Sequence, residues 1–228
     1  MTEKKSLPAK LLVFDLDGTL INSIGAIAYH LNQMLKNYDL APISTERVRQ
    51  LVGNSSRYLV YHSLEESGGE GWTEEGKETF LAAYNQAYLE EPLVRTELYP
   101  GIADLLKELK KAGYKLAVLS NKPDAIVKSI CAKLFPEGLF DRVLGFVEDI
   151  PRKPDPAGLI LIMEELGAKQ TETIYIGDSE VDADLGNRAQ LDTLLVSYGF
   201  RPGSELKSLK YRWLADSVTD LERILLQA

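Results

Sequence analysis

Residues 11–20 read LLVFDLDGTL, and this stretch decides the fold. Four apolar residues run directly into two carboxylates one residue apart, Asp15 and Asp17, and a Gly18-Thr19 turn follows. A short continuous apolar run fits a strand covered on both faces, as in a parallel sheet. An ionised carboxylate at the end of such a strand loses solvation and repels its neighbour, so the pair needs a counter-charge.

The same kind of run recurs downstream: YKLAVLS (114–120), RVLGFV (142–147), ETIYIGD (172–178) and DTLLVSYG (192–199). Amphipathic helical patterns occupy 101–113, 123–135, 155–167 and 217–228, with Gly113 and Gly167 closing two of them. Strands alternating with helices predict a doubly wound α/β domain. One interval breaks the alternation. From 22 to 92 four helical patterns follow one another with no convincing strand, and a linker from Pro92 to Pro100 leads back. The expected organisation is an α/β core, 1–21 and 93–228, carrying an inserted all-helical cap, 22–92.

The chain has 228 residues, 45% hydrophobic and 26% charged, the composition of an ordinary globular protein. A net charge of −8 argues against nucleic acid or an anionic membrane as partner. The single cysteine, Cys131, sits in an apolar helical pattern and is expected to be buried and inert. The basic N-terminus is followed by too short an apolar run for a signal peptide, and no stretch approaches a membrane span. A cytoplasmic location is expected.

Polar residues cluster where the other strands end: Ser120, Asn121 and Lys122 after the second, Asp178, Asp182 and Asp184 after the fourth, and Lys153 in a proline-stiffened loop after the third. Ligands of open parallel sheets bind at these carboxyl ends, so the residues describe one pocket. Crowded carboxylates suit a hard divalent cation, and Mg²⁺ takes one or two carboxylates and completes its shell with water and phosphate oxygens. Asp15 and Asp178 are the ligands expected, with the backbone carbonyl of Asp17. A lysine, hydroxyl and amide donors, and the backbone N–H groups of Gly18 and Thr19, would suit a phosphoryl group.

DLDGTL, LSNK, the run Lys153-Pro154-Asp155-Pro156, and GDSEVD resemble the four ordered motifs of the haloacid dehalogenase superfamily, from about residue 11 to the C-terminus. The insertion resembles its helical C1-type cap, and the phosphoglycolate phosphatases look like the nearest subfamily. The resemblance implies the strand order 5-4-1-2-3 and a small phosphorylated metabolite as substrate. It implies that Asp15 attacks phosphorus to give an aspartyl-phosphate, while Asp17 protonates the leaving oxygen and later deprotonates water. Ser120, Asn121 and Lys153 would hold the transferring group, and Asp182 would support the metal site or orient Lys153. Haloacid dehalogenases proper lack the second acid, so Asp17 marks a phosphoryl-transfer member.

Three positions depart from the pattern: Asn22 stands where Asp is usual, and Ser55 and Gln190 where Gly is common. The cap residues Gly53, Ser55 and Arg57 are the candidates for touching the leaving group. Within the same class stand an inorganic pyrophosphatase and a sugar-phosphate phosphatase. A phosphomutase is disfavoured because residue 27 is Ile rather than an acid/base His. A phospho-acceptor switch would need neither the insertion nor Asp17, and a binding-only relative would have lost a motif residue. The P-loop-like Gly71-x₄-Gly76-Lys77 is followed by Glu78 and preceded by no strand, so it is rejected. His30 and His62 are expected to be structural.

Overall fold

Strand β1 (Leu11–Phe14) is fully buried, and its side chains alternate between two apolar layers. Leu12 and Phe14 enter one cluster, Leu11 and Val13 another. Burying each such side chain contributes about 1.5–3 kcal/mol, which fixes the register, since a one-residue slip would exchange the faces. The computed structural model describes residues 9–69 and 71–227. The basic N-terminal stretch and Ala228, the last residue of the final predicted helix, lie outside the described residues.

After β1 come the two-residue strand β2 (Ile21–Asn22) and four helices, α1 (Ile24–Asn37), α2 (Thr45–Leu51), α3 (Ser56–Glu66) and α4 (Glu74–Glu90). Ser44, Ser55 and Thr73 cap α2, α3 and α4, each accepting a hydrogen bond from a first-turn amide. Strand β3 (Glu97–Leu98) then pairs antiparallel with β2, Ile21 facing Leu98 and Asn22 facing Glu97. The remaining elements are α5 (Ile102–Lys111), β4 (Lys115–Pro123), α6 (Asp124–Leu134), β5 (Arg142–Phe146), α7 (Ala157–Glu165), β6 (Thr173–Gly177), α8 (Glu180–Ala189), β7 (Asp192–Val196), α9 (Gly203–Leu206), β8 (Trp213–Ala215) and α10 (Val218–Gln227).

The main sheet is parallel, in the order β5-β4-β1-β6-β7-β8. Its first five strands reproduce the expected order. The sixth, β8, is an addition at the edge: three residues after a polar stretch carry too little apolar pattern to read as a strand. From β1 the chain winds to one side through β4 and β5, then returns to β6 on the other side. The carboxyl ends of β1, β4 and β6 therefore surround a topological switch point. Phe14 is level with Val118 and Ile176, so Asp15, Ser120 and Asp178, one or two residues further along each strand, emerge together.

The four helices pack on one another around Leu31, Leu35, Leu64, Phe80 and Tyr88, all fully or nearly fully buried. His30 belongs to this interior, its ring against Tyr88 and its Nε2 on the Glu91 carbonyl, while His62 lies at the surface of α3. Cys131 is buried, and burial pushes its thiol up to about 12, out of reach of thiolate chemistry. Among the described residues no helix is long and apolar enough to cross a membrane.

Candidate active site

Asp15 leaves β1 as a buried carboxylate. Its Oδ1 accepts from the Leu16 amide at 2.7 Å and from Lys153 Nζ at 2.9 Å. Both contacts fall on one oxygen and leave the other to face a ligand. Lys153 arrives from the loop after β5, where Asn121 holds its backbone at both ends: Lys153 N–H donates to Asn121 Oδ1 (2.8 Å), and Asn121 Nδ2 donates to the Lys153 carbonyl (3.0 Å). The Lys153–Pro154 peptide is cis. Its ammonium, buried with the rest of the side chain, also donates to Asp182 Oδ1 (2.9 Å) and meets the Tyr175 hydroxyl (3.0 Å).

Asp182, in the first turn of α8, forms a capping box with Ser179. Its Oδ1 accepts from Lys153 and the Tyr175 hydroxyl, and its Oδ2 from the Asp178 and Ser179 amides and the Ser179 hydroxyl. With five donors on two oxygens, Asp182 has little capacity for a cation; it anchors the lysine. Asp178, by contrast, accepts on its carboxylate from the Phe200 amide at 2.6 Å.

The turn after β1 and the loop after β7 close on Asp178 from two sides. A Cβ on Gly18, where φ is +85°, would lie 2.2 Å from Asp178 Oδ2, and one on Gly199 would lie 2.4 Å from both Asp178 Cβ and the Gly18 carbonyl. Only glycine fits at either place. The Tyr198 hydroxyl donates to the Thr19 carbonyl and ties the same two loops together.

Asp17 has different neighbours. Its Oδ1 accepts from the Ser23 hydroxyl, and Lys122 Nζ reaches its two oxygens at 3.1 and 3.0 Å. Two acids one residue apart thus have separate partners, Asp15 toward Lys153 and Asp17 toward Ser23 and Lys122.

Burial first, then the neighbouring acids against the opposing pull of Lys153, pushes the Asp15 carboxyl from its ordinary 3.8 up to about 7. Asp178 is raised well above the carboxylate range by burial and by the charges of Asp182 and Asp15. Burial acts the same way on Asp182, but Lys153 and the hydrogen bonds from Ser179 outweigh it and hold that carboxyl down. Lys153, although buried, is held above its ordinary value by Asp15 and Asp182. One oxygen each of Asp15, Asp178 and Asp182 falls within 4.8 Å of the others. This donor set fits a hard cation, with Asp15 and Asp178 having capacity to spare.

A carboxyl raised in the folded state stabilises fully below its unfolded value and ceases to do so as pH rises through its folded value. Metal-free protein should therefore lose stability between about pH 4 and 7, and a divalent cation, which favours the ionised form, should reverse the loss. Melting temperatures at pH 5 and pH 8, with chelator and with excess cation, check this. Asp15→Asn should flatten the fall, and a rise through this window in chelator would contradict the assignment.

The cavity above these groups is lined by Asp15, Asp17, Ser120, Asn121, Lys153 and Asp178 from the sheet, and by Gly53 and Ser55 from the helical segment. Gly18 and Thr19 are not part of the lining. Their amides donate within the turn, Gly18 to the Ile21 carbonyl and Thr19 to that of Leu16, so the expected phosphate donors are already engaged. Arg57 also lies elsewhere. Its guanidinium pairs with Glu78 and Tyr61 beside an adjoining cleft. Ser55 caps α3, and Asn22 is exposed in β2. Gln190 takes the left-handed conformation (φ 55°) at the end of α8, where glycine is favoured.

Several contributors were not expected from the sequence. Tyr175 reads as one more apolar strand residue, and only its hydroxyl distinguishes it. Ser23 reads as a helix start. Arg201 follows β7 in a loop without a motif, yet it donates to Glu180 (2.8 and 3.0 Å) and to the Arg49 (2.9 Å) and Val52 (2.8 Å) carbonyls at the end of α2. Those carbonyls are the ones a helix end leaves unpaired.

The family model for haloacid dehalogenase-like hydrolases matches residues 12–196. A phosphoglycolate phosphatase of Psychrobacter arcticus is 36% identical over 222 residues, 96% of each chain. Phosphoglycolate phosphatase 1 of Pseudomonas aeruginosa is 32% identical, over 93% of this chain and 78% of that one. Among solved structures, a predicted phosphoglycolate phosphatase from Haemophilus somnus superimposes with a TM-score of 0.86 at 29% identity, covering 95% of this chain and 98% of that one.

Proposed function

The chain belongs to the haloacid dehalogenase-like hydrolase family and is a phosphoric monoester hydrolase acting on a small phosphate ester; we propose that it depends on Mg²⁺, takes a phosphoglycolate-like substrate, and works through an aspartyl-phosphate on Asp15. The observation that carries this reading is the separation of the two acids. Asp15 has an open oxygen beside Lys153, whereas Asp17 faces the other side of the cavity, against Ser23 and Lys122.

In the first half-reaction an Asp15 oxygen attacks phosphorus, the bond from phosphorus to the ester oxygen breaks, and Asp17 gives its proton to that oxygen. In the second, Asp17 takes a proton from water as the water attacks phosphorus, releasing phosphate and restoring Asp15. Lys153 and Ser120 orient the phosphoryl oxygens, Asn121 holds the Lys153 main chain in place, and Asp182 with Tyr175 keeps the Lys153 ammonium on target. Held by Asp15, Asp178 and the Asp17 carbonyl, Mg²⁺ would supply positive charge to the phosphoryl oxygens. Residues 22–92 act as the cap over a core made of 1–21 and 93–228, and Gly53 and Ser55 face the leaving group.

Chelator should abolish hydrolysis of an aryl phosphate and Mg²⁺ should restore it; undiminished activity in excess EDTA would refute the metal requirement. Ranking phosphoglycolate, pyrophosphate, nucleotides and sugar phosphates by kcat/KM tests the substrate. Pyrophosphate at the head of that ranking would replace the phosphoglycolate reading with a pyrophosphatase.

A further inference from the structure

Among the described residues three cations line the cavity, and two are each held by several protein groups. Lys153 is shared among Asp15, Asp182 and Tyr175, and Arg201 among Glu180 and two main-chain carbonyls. Lys122 is the third. It leaves the end of β4 beside Ser120 and Asn121, and its side chain is only 8% exposed. Its ammonium meets the Asp17 carboxylate on one side and, on another, stands 4.4 Å from the centroid of the Tyr88 ring of α4. A lysine rarely stays buried without a full set of anionic or hydrogen-bonding partners. Here one carboxylate and an aromatic face account for its contacts among the described residues.

We infer that Lys122 is a specificity-determining residue that receives a second anionic group on the substrate, a carboxylate one or two carbons from the ester oxygen. The inference rests on the monoester phosphatase reading above and adds the feature of the leaving group that the site selects. If Asp17 protonates the ester oxygen, that oxygen lies within hydrogen-bond reach of the Asp17 carboxylate, and Nζ is 3.0 Å from the same group. A carboxylate attached one carbon further along falls beside the ammonium. Ile27, Leu59 and Tyr84 line the same cavity. These side chains offer little hydration to an ion, which strengthens the pairing of an incoming anion with Lys122 and gives an uncharged leaving group nothing comparable. Because the ammonium stands against Asp17 itself, the selection is for short leaving groups whose charge lies close to the ester oxygen.

The test compares phosphoglycolate with ethyl phosphate, which has a leaving group of the same length and no carboxylate. Wild type should prefer phosphoglycolate in kcat/KM. Lys122→Met should lower that preference at least tenfold, and Lys122→Arg should keep most of it. Because Lys122 also touches Asp17, both substrates will slow in Lys122→Met; equal slowing of the two would overturn the inference and leave Lys122 as a support for Asp17. Binding gives a second reading free of turnover. In calorimetry with Mg²⁺, wild type should bind 3-phosphonopropionate more tightly than propylphosphonate, and Lys122→Met should bind them alike. A wild type that does not distinguish either pair also overturns the inference while leaving the phosphatase reading standing. Hydrolysis of no phosphomonoester at all would remove that reading itself.

Discussion

Asp15→Asn should lower kcat at least about 10⁴-fold for every phosphate ester the enzyme accepts, a loss typical of removing an attacking group. The substitution preserves shape and can still accept from the Leu16 amide. An amide oxygen lacks the charge needed to attack phosphorus, so the aspartyl-phosphate cannot form. The variant should still bind inorganic phosphate, since Lys153 and Ser120 remain. Asp17→Asn should behave differently. Its loss, about 10²–10⁴-fold, should be smaller in the first half-reaction for p-nitrophenyl phosphate, whose leaving group departs without a proton. The acyl phosphate would then accumulate, because no base activates water. Acid quenching of enzyme treated with radiolabelled substrate distinguishes the two variants. Undiminished turnover in Asp15→Asn would sink the mechanism.

Lys153→Met should cost both activity and stability. The ammonium is buried between Asp15 and Asp182, and breaking a buried ion pair from one side costs about 3–5 kcal/mol because the abandoned charge stays buried. For a protein of this size that corresponds to a fall of roughly 6–20 °C in melting temperature. Catalysis should drop about 10²–10³-fold through loss of charge facing the transferring group. Tyr175→Phe removes one hydroxyl from the same cluster and should cost only about 1 kcal/mol. Equal melting temperatures for wild type and Lys153→Met would show that the cluster is solvated and not the buried network described here.

The strands and helices that carry the site were legible because each announces itself locally. Apolar runs mark β1, β4, β6 and β7, and Ser44, Ser55 and Thr73 mark the helix starts between 44 and 74. Charged side chains at strand ends were legible for the same reason, since a carboxylate after a buried strand is costly without a partner. Contacts that depend on which loop meets which were not. The Phe200 amide on Asp178 and the Arg201 bridge to α2 link residues that share no local pattern. The amides of Gly18 and Thr19 were misplaced because sequence shows that a turn exists and not whether it satisfies its own donors. Arg57 was misplaced because a surface carboxylate, Glu78, competes for it from another helix.

The short pairing of Ile21 with Leu98 and Asn22 with Glu97 has a consequence on a longer timescale than catalysis. Everything from Ser23 to Thr96 departs and returns through one doorway, and the ends of the excursion stay fastened together whatever lies between them. Closing a longer or shorter excursion there changes little, because loop-closure entropy grows only slowly with length. The sheet and its acids can thus descend intact through a lineage, while the helices between β2 and β3 are lengthened, trimmed or exchanged.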